Sequence, residues 1–227
     1  MYEKLAQYYN HITAVKNYKK ECENILSYCK IHNIKQNNLL DVGCGTGQHL
    51  LHLQDHFKLL TGVDISTEMI KEASSELKSH VSMEVGTVKD IKGTSFDVII
   101  SMFNVVNHLL TLDKLTDFFE QCEKRLNVGG LFIFDAFNGN RVIEDPPKTE
   151  RREVGELEIL IEPSVDLTTS FFSMTNKIKK KNGTLLEYRL EHTLWPLKIY
   201  TDLLKINGLE IINLDLGYKT LLIAKKK

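Results

Sequence analysis

The sequence predicts an α/β fold: a mostly parallel sheet of seven strands finished by a terminal antiparallel hairpin, with a second, antiparallel sheet inserted before the last helix. Three observations carry this expectation. An apolar run, Leu39 to Val42, passes through three alternating glycines, Gly43, Gly45 and Gly47, into an apolar-periodic helix. Further apolar runs at 58–66, 81–86, 96–103 and 131–135 recur with amphipathic stretches between them, the alternation of a parallel sheet. After Pro146-Pro147 the pattern changes to period-two alternation.

Composition narrows the class. A chain of 227 residues, 42% of them hydrophobic, suffices for one well-formed core. A formal net charge of -1 supplies no basic field for a nucleic-acid backbone, so no nucleic-acid partner is expected. The lysines at 179–181 and 225–227 read as a turn and a solvated end. Four cysteines, Cys22, Cys29, Cys44 and Cys122, form no CxxC pair and no Cys/His cluster, which implies a reduced, cytoplasmic chain without a metal. The first residues are polar and no long apolar run exists, so neither a secretory signal nor a membrane span is expected.

In chain order, Tyr2 to Tyr9 is a short aromatic-rich lead expected to be helical, whose Tyr8 and Tyr9 either pack in the core or close over a ligand. A helix to about Ile31 puts Tyr18, Cys22, Ile25, Leu26 and Cys29 on one face. The glycine turn comes next. Glycine admits φ > 0 and leaves no Cβ between backbone and ligand, and the helix start behind it offers unpaired N–H groups. Strand, glycine turn and helix open a nucleotide-binding, Rossmann-like unit. The spacing G-x-G-x-G is neither the dinucleotide G-x-G-x-x-G nor a P-loop, since Gln48 and His49 follow Gly47. Asp64 ends the second strand about twenty residues on, where such a unit places a carboxylate for ribose hydroxyls; the alternative is an acid on a helix dipole. Ser66 is the expected cap of a helix over Thr67 to Leu77.

The third strand leads into Gly86-Thr87-Val88-Lys89-Asp90, with Asp90 either a turn residue or a ligand. The fourth, Phe96 to Phe103, opens at Ser101 to His108 onto the cleft at the carboxyl edge. A helix over Leu112 to Leu126 is expected to stop at Asn127-Val128-Gly129-Gly130. The fifth strand ends at Asp135, either a base, an acceptor-positioning group or a turn residue. Between about Arg152 and Leu194, Asn182-Gly183 is expected as a two-residue turn joining Thr175–Lys181 to Thr184–Leu194. Leu186, Tyr188, Leu190, His192 and Leu194 then share a face. His192 is either a core histidine with a backbone partner or, if the insert covers the carboxyl edge, an acceptor-site residue. A helix over Leu197 to Asn207, ended by Gly208, precedes a hairpin of Leu209–Leu214 and Tyr218–Ala224.

Asp41-Val42-Gly43-Cys44-Gly45-Thr46-Gly47 resembles motif I, D/E-x-G-x-G-x-G, of the class I S-adenosylmethionine (SAM) dependent methyltransferases. The resemblance extends over nearly the whole chain. The Lys-x-Tyr lead, Gly47-Gln48-His49 and Ser101-Met102-Phe103 look most like the small-molecule methyltransferases that include the N-methyltransferases of nucleotide-linked amino sugars. The resemblance implies SAM as cofactor and S-adenosyl-L-homocysteine as product, held by Tyr9, Tyr18, Asp41, Gly43, Cys44, Gly45, Asp64, Ile65, Thr87, Val88, Met102 and Phe103. Asn17 stands where the family has Asp, and Thr87 where it has an acid. The acceptor is expected to be an amine or hydroxyl of a small molecule, for example a nucleotide-linked or surface-polysaccharide sugar precursor. The alternatives are a non-catalytic SAM-binding module and an O-methyltransferase of another small metabolite. Base candidates are His192, His108 and Asp135, with Tyr188 beside them. Residues 1–38 are expected to form a helical cap, 39–145 with 196–227 the cofactor domain, and 146–195 an antiparallel β lid. The assembly expected is a monomer or homodimer.

Overall fold

The computed structural model describes residues 6–73, 75–92, 95–183 and 185–227. The start of the aromatic lead at Tyr2, Ser74 in the helix expected over 67–77, and Thr184 at the start of a strand lie outside the described residues. Two helices open the chain, α1 (Ala6–Ile12) and α2 (Tyr18–Ile31). Then come β1 (Asn38–Val42), α3 (Gln48–Leu53), β2 (Leu59–Asp64), α4 (Thr67–Lys71), β3 (Val81–Val85) and β4 (Phe96–Ser101). A 3-10 turn over Val105–His108 leads to α5 (Leu112–Arg125), β5 (Leu126–Phe137) and α6 (Gly139–Glu144). The insert is β6 (Glu150–Val154), β7 (Leu157–Asp166), β8 (Phe171–Lys180) and β9 (Leu185–Thr193); α7 (Leu197–Ile206), β10 (Leu209–Leu216) and β11 (Lys219–Lys226) finish the chain.

The main sheet has the order β10-β11-β5-β4-β1-β2-β3. Its β1–β2, β2–β3, β1–β4 and β4–β5 pairs are parallel, and β11 runs antiparallel to both neighbours. β4 is buried at every residue, which is why it reads as an unbroken apolar run rather than an alternating one. Successive residues still separate to opposite faces. Ile99, Phe132 and Phe134 join Phe119 and Tyr200 of α5 and α7 in one core layer. Val98, Ile100, Leu131 and Ile133 join Ile25 and Leu50 of α2 and α3 in the other. The chain leaves β1 for β2 on one side and later returns to β4 on the other. That reversal opens a crevice at the carboxyl ends of β1 and β4.

The insert forms a second sheet, β6-β7-β8-β9, antiparallel throughout. It leaves and rejoins the main fold at nearly one place. A Cβ on Gly139 would meet Leu194 Cβ at 3.3 Å, so a glycine lets the outgoing and returning strands of chain meet there. Asn107 fastens the junction: its Nδ2 donates to the Thr193 carbonyl (2.8 Å) and the Tyr200 hydroxyl (3.2 Å), and its Oδ1 accepts from the Phe137 N–H (2.9 Å).

Several boundaries differ from expectation. α4 closes at Lys71 because the chain beyond bonds elsewhere: Gln54 Oε1 accepts the Lys78 N–H at 2.9 Å and Gln54 Nε2 donates to the Glu76 carbonyl. β4 ends at Ser101, since Phe103 and Asn104 both take positive φ. Asn127 to Gly130 do not stop a helix. The residue after α5, Leu126, is already extended, and these four form an irregularity inside β5 where pairing with β4 jumps from Phe96–Leu126 to Val98–Leu131. The β8–β9 reversal is longer than two residues, with the Gly183 N–H on the Lys180 carbonyl at 2.9 Å and Gly183 at φ +84°. Lys225 and Lys226 belong to β11 rather than to a solvated end, and the Lys226 ammonium pairs with Glu123 at 2.8 Å.

Candidate active site

The glycine turn is tied to the end of β2. The N–H groups of Gly43 and Cys44 both donate to the Val63 carbonyl, at 2.8 and 3.1 Å. Gly43, Gly45 and Gly47 have φ of +76°, +54° and +77°. At Gly43 space matters as much as torsion, because a Cβ there would fall 2.6 Å from a Val105 γ-carbon. The turn after β4 therefore rests directly on the turn after β1. Gly45 N–H donates to Asp64 Oδ2 at 2.9 Å and Ser66 N–H to Asp64 Oδ1 at 2.8 Å, so both carboxylate oxygens are aimed by backbone. Burial raises the Asp64 carboxyl above its ordinary range against those two bonds.

These residues border a cavity of about 490 Å³. Of the cofactor candidates, only Asp41 is outside its lining. Asp41 lies beneath the glycine turn at 1% exposure with Oδ2 unpartnered. Burial pushes its carboxyl up to about 6; His49 pulls it back and Asp64 pushes it further. Thr87 lines the cavity but is committed to its own turn: its N–H and hydroxyl both donate to Asp90 Oδ2 at 2.8 Å. Asp90 is thus a turn residue.

Tyr9 and Tyr18 close one side. Asn17, where the family has Asp, keeps the capping role, with Oδ1 accepting the Lys20 N–H at 2.9 Å. This cap places Tyr18 and Glu21 one turn apart on α2. Glu21 accepts hydrogen bonds from Lys16 and from His49 Nε2, the latter at 2.9 Å. Burial opposes ionisation of Glu21, yet these two partners outweigh it and hold the carboxyl at about 2. Tyr18 stands edge-on to His49 with ring centroids 5.1 Å apart, and burial pushes its phenol up to about 12. The Thr46 hydroxyl donates to Asn10 Oδ1 at 2.6 Å, which ties α1 to the glycine turn. Sequence reasoning assigned no role to Asn10, Lys16, Glu21 or His49. The available signal was Gln48-His49 directly after the glycines and a capped helix that could present Glu21 to it.

On the opposite side His108 lines the cavity. Its Nδ1 lies 3.0 Å from the Glu191 carbonyl, an acceptor only, so the proton sits on Nδ1. His192 of β9 is not in the lining: it packs behind His108 at a tilt of 44°, ring centroids 4.2 Å apart, with Phe137 and Phe172 at 5.2 and 5.5 Å. Burial lowers His108 to about 4. Burial, helped by His108, lowers His192 to about 3. Both rings are neutral near pH 7. Asp135 is not in the lining: Oδ1 accepts the Asn104 N–H at 2.6 Å and Oδ2 lies 3.5 Å from the Lys219 ammonium. The structure does not bring Tyr188 to the cavity either. It packs with Tyr8, Tyr9 and Ile12 where α1 meets the insert. Lys219, unassigned from sequence, sits 4.5 Å from the Phe103 ring centroid, and Lys16 sits 4.6 Å from it. Burial lowers the Lys219 pKa while Asp135 opposes the shift.

Sheet order, glycine turn and the Asp64 carboxylate define the class I methyltransferase fold. Residues 39–130 match the family model described as a methyltransferase domain. A dTDP-3-amino-3,4,6-trideoxy-alpha-D-glucopyranose N,N-dimethyltransferase of Streptomyces venezuelae is 29% identical over 123 residues, 54% of this chain and 52% of that enzyme. The chain thus spans about half the length of this curated relative. A SAM-dependent methyltransferase from Clostridium acetobutylicum superposes with a TM-score of 0.85 at 22% identity, covering 99% of this chain and 98% of the other. A SAM-bound amino pentose methyltransferase from Micromonospora echinaspora superposes with a TM-score of 0.78 at 18% identity, covering 93% and 92%. Among the described residues no helix is long and apolar enough to cross a membrane.

Proposed function

We propose that this chain is a SAM-dependent methyltransferase acting on the amine of a small molecule, a nucleotide-linked amino sugar, with S-adenosyl-L-homocysteine as the other product. The observation that carries the reading is the cavity itself: a glycine turn and a backbone-aimed Asp64 on one side, a neutral His108 on the other. The amino-sugar acceptor rests on the relatives. Their substrates carry a sugar amine on a dTDP handle.

The residues fit the cofactor. Asp64 has the acceptor oxygens for a ribose diol, and Asp41, sealed beneath the turn, acts on a cationic ligand end through its charge rather than by contact. Tyr9 and Tyr18 cover the opening. Bound SAM supplies a methyl group already activated by its sulfonium charge. The chain's work is then alignment and exclusion of water, worth on the order of 7–11 kcal/mol when geometry is right. An aliphatic amine reacts only when neutral. A neutral imidazole at His108 borders the acceptor side of the cavity without adding positive charge beside a cationic donor. His108 keeps its Nδ1 proton on the Glu191 carbonyl, which fixes the ring's orientation at the cavity wall. In this reading residues 1–38 are a cap and 146–195 a lid over the acceptor, on a cytoplasmic monomer or homodimer.

The test is calorimetry with SAM and S-adenosyl-L-homocysteine. The expected result is micromolar binding that is abolished by Asp64→Ala, followed by methylation of dTDP-linked amino sugars. Failure of the intact protein to bind either ligand would sink the proposal.

A further inference from the structure

In the main sheet β2 lies between β1 and β3, so Asp64 at its end stands between the glycine turn and the turn that follows β3. Backbone bonds tie it to both. Gly45 N–H donates to Asp64 Oδ2, and Gly86 N–H donates to the Asp64 carbonyl, each at 2.9 Å. A nucleoside whose ribose sits on Asp64 and whose amino-acid end lies toward the glycine turn therefore carries its base toward the β3 turn. There the cavity is lined by Thr87, Val88 and Lys89 of that turn and by Lys114, Asp117 and Phe118 of α5.

Thr87 has no carboxylate to offer a base, and its N–H and hydroxyl are both spent on Asp90. What this wall presents instead is an ion pair: the Lys89 ammonium lies 2.7 Å from Asp117 Oδ2. One partner comes from the β3 turn, the other from α5, and both line the cavity. Their side chains are 54% and 41% exposed, so neither is sealed from a ligand. Both are held in place. The Arg125 guanidinium donates to the Lys89 carbonyl at 2.9 Å, which fastens the turn to the end of α5, and Gln121 Nε2 reaches Asp117 Oδ1 at 3.5 Å. An exposed pair of this kind adds little to stability.

We infer that the Lys89–Asp117 pair reads the base of the cofactor. Adenine offers a donor, its exocyclic amine, beside an acceptor, N1. A carboxylate only accepts and an ammonium only donates, so the pair presents the complementary edge. Hypoxanthine reverses that edge: its carbonyl oxygen accepts and its N1–H donates. Against this pair the carbonyl would meet the Asp117 carboxylate and the N–H the Lys89 ammonium. Val88 and Phe118, both buried and apolar, supply wall for the ring itself. The inference rests on the cofactor reading above and adds the residues that choose the base.

The experiment is calorimetry of the full chain against S-adenosyl-L-homocysteine and S-inosyl-L-homocysteine, which differ only in that a carbonyl replaces the exocyclic amine. The parent should prefer the adenosyl ligand by about tenfold or more, the scale of a hydrogen bond to a charged group. Asp117→Ala should lose about that factor for the adenosyl ligand and keep the parent's affinity for the inosyl one, so the preference disappears. Lys89→Met should narrow it in the same direction. Both positions are exposed, so both variants should keep the parent's Tm. A parent that binds the two ligands equally, or a preference that survives either substitution, overturns the assignment to the pair. So does an equal loss for both ligands in Asp117→Ala, which marks a merely structural role. If the parent binds neither ligand, the cofactor reading itself fails and this inference with it; that failure shows in the parent rather than in the variants.

Discussion

Asp41 is a charge the free protein holds at a cost. Its carboxyl rises from 3.8 to about 6 on folding, so the folded state binds a proton more tightly than the unfolded chain does. Stability is then highest with Asp41 protonated and declines as pH rises from about 4 through about 6. Asp41→Asn should stabilise the ligand-free protein at pH 8 by up to about 3 kcal/mol, with no gain at pH 4. Urea unfolding at the two pH values checks this, and an equal gain at both would contradict it. The same variant should weaken cofactor binding. Asp41, Gly43 and Asp64 were legible in the sequence because one strand–turn–strand unit fixes their spacing. Glu21, Lys16 and Lys219 were not, because His49, Phe103 and Asp135, against which they lie, come from distant parts of the chain. Asp135 and Tyr188 could be placed on the right strand and face but not on a partner. The Asn104 N–H and the packing of α1 decide where they point.

Among elements, the junction between β9, β5 and α7 depends on a side chain with no exposure, Asn107. Asn107→Ala would leave the Phe137 N–H and the Thr193 carbonyl without this partner, each worth roughly 1–3 kcal/mol when buried and unpaired. The expected loss is about 2–4 kcal/mol of stability, with faster proteolysis within 146–195, measured by denaturant unfolding and limited digestion. Strands of the main sheet were easy to foresee, since burial on both faces writes a continuous apolar run. The ends of α4 and the start of β5 were harder. Glycines at 129 and 130 look like a helix stop, yet Gly130 is required by space: a Cβ there would fall 2.9 Å from the carbonyls of Asn127 and Asp97. Sequence carries the residue type but not which of two crowded backbones demands it.

At the scale of the molecule, α1 belongs with the insert. Ile159 and Ile178 of β7 and β8 pack with Ala6, Tyr8 and Ile12, and with Met69 of α4. Asn10 then reaches Thr46 of the glycine turn. A ligand in the cavity should therefore slow amide exchange in α1 and in β6 to β9 as well as in the turn, and leave β10–β11 unchanged. Hydrogen-exchange mass spectrometry with and without S-adenosyl-L-homocysteine reads this directly; protection confined to the turn would show that α1 and the insert move independently.

Gly139 against Leu194 has a further consequence. Because the excursion begins and ends at one contact, its two attachment points can stay fixed while everything between them is exchanged. Nature and the protein engineer face the same seam there. A different antiparallel sheet, grafted at 139 and 194, would change the tenant without rebuilding the house.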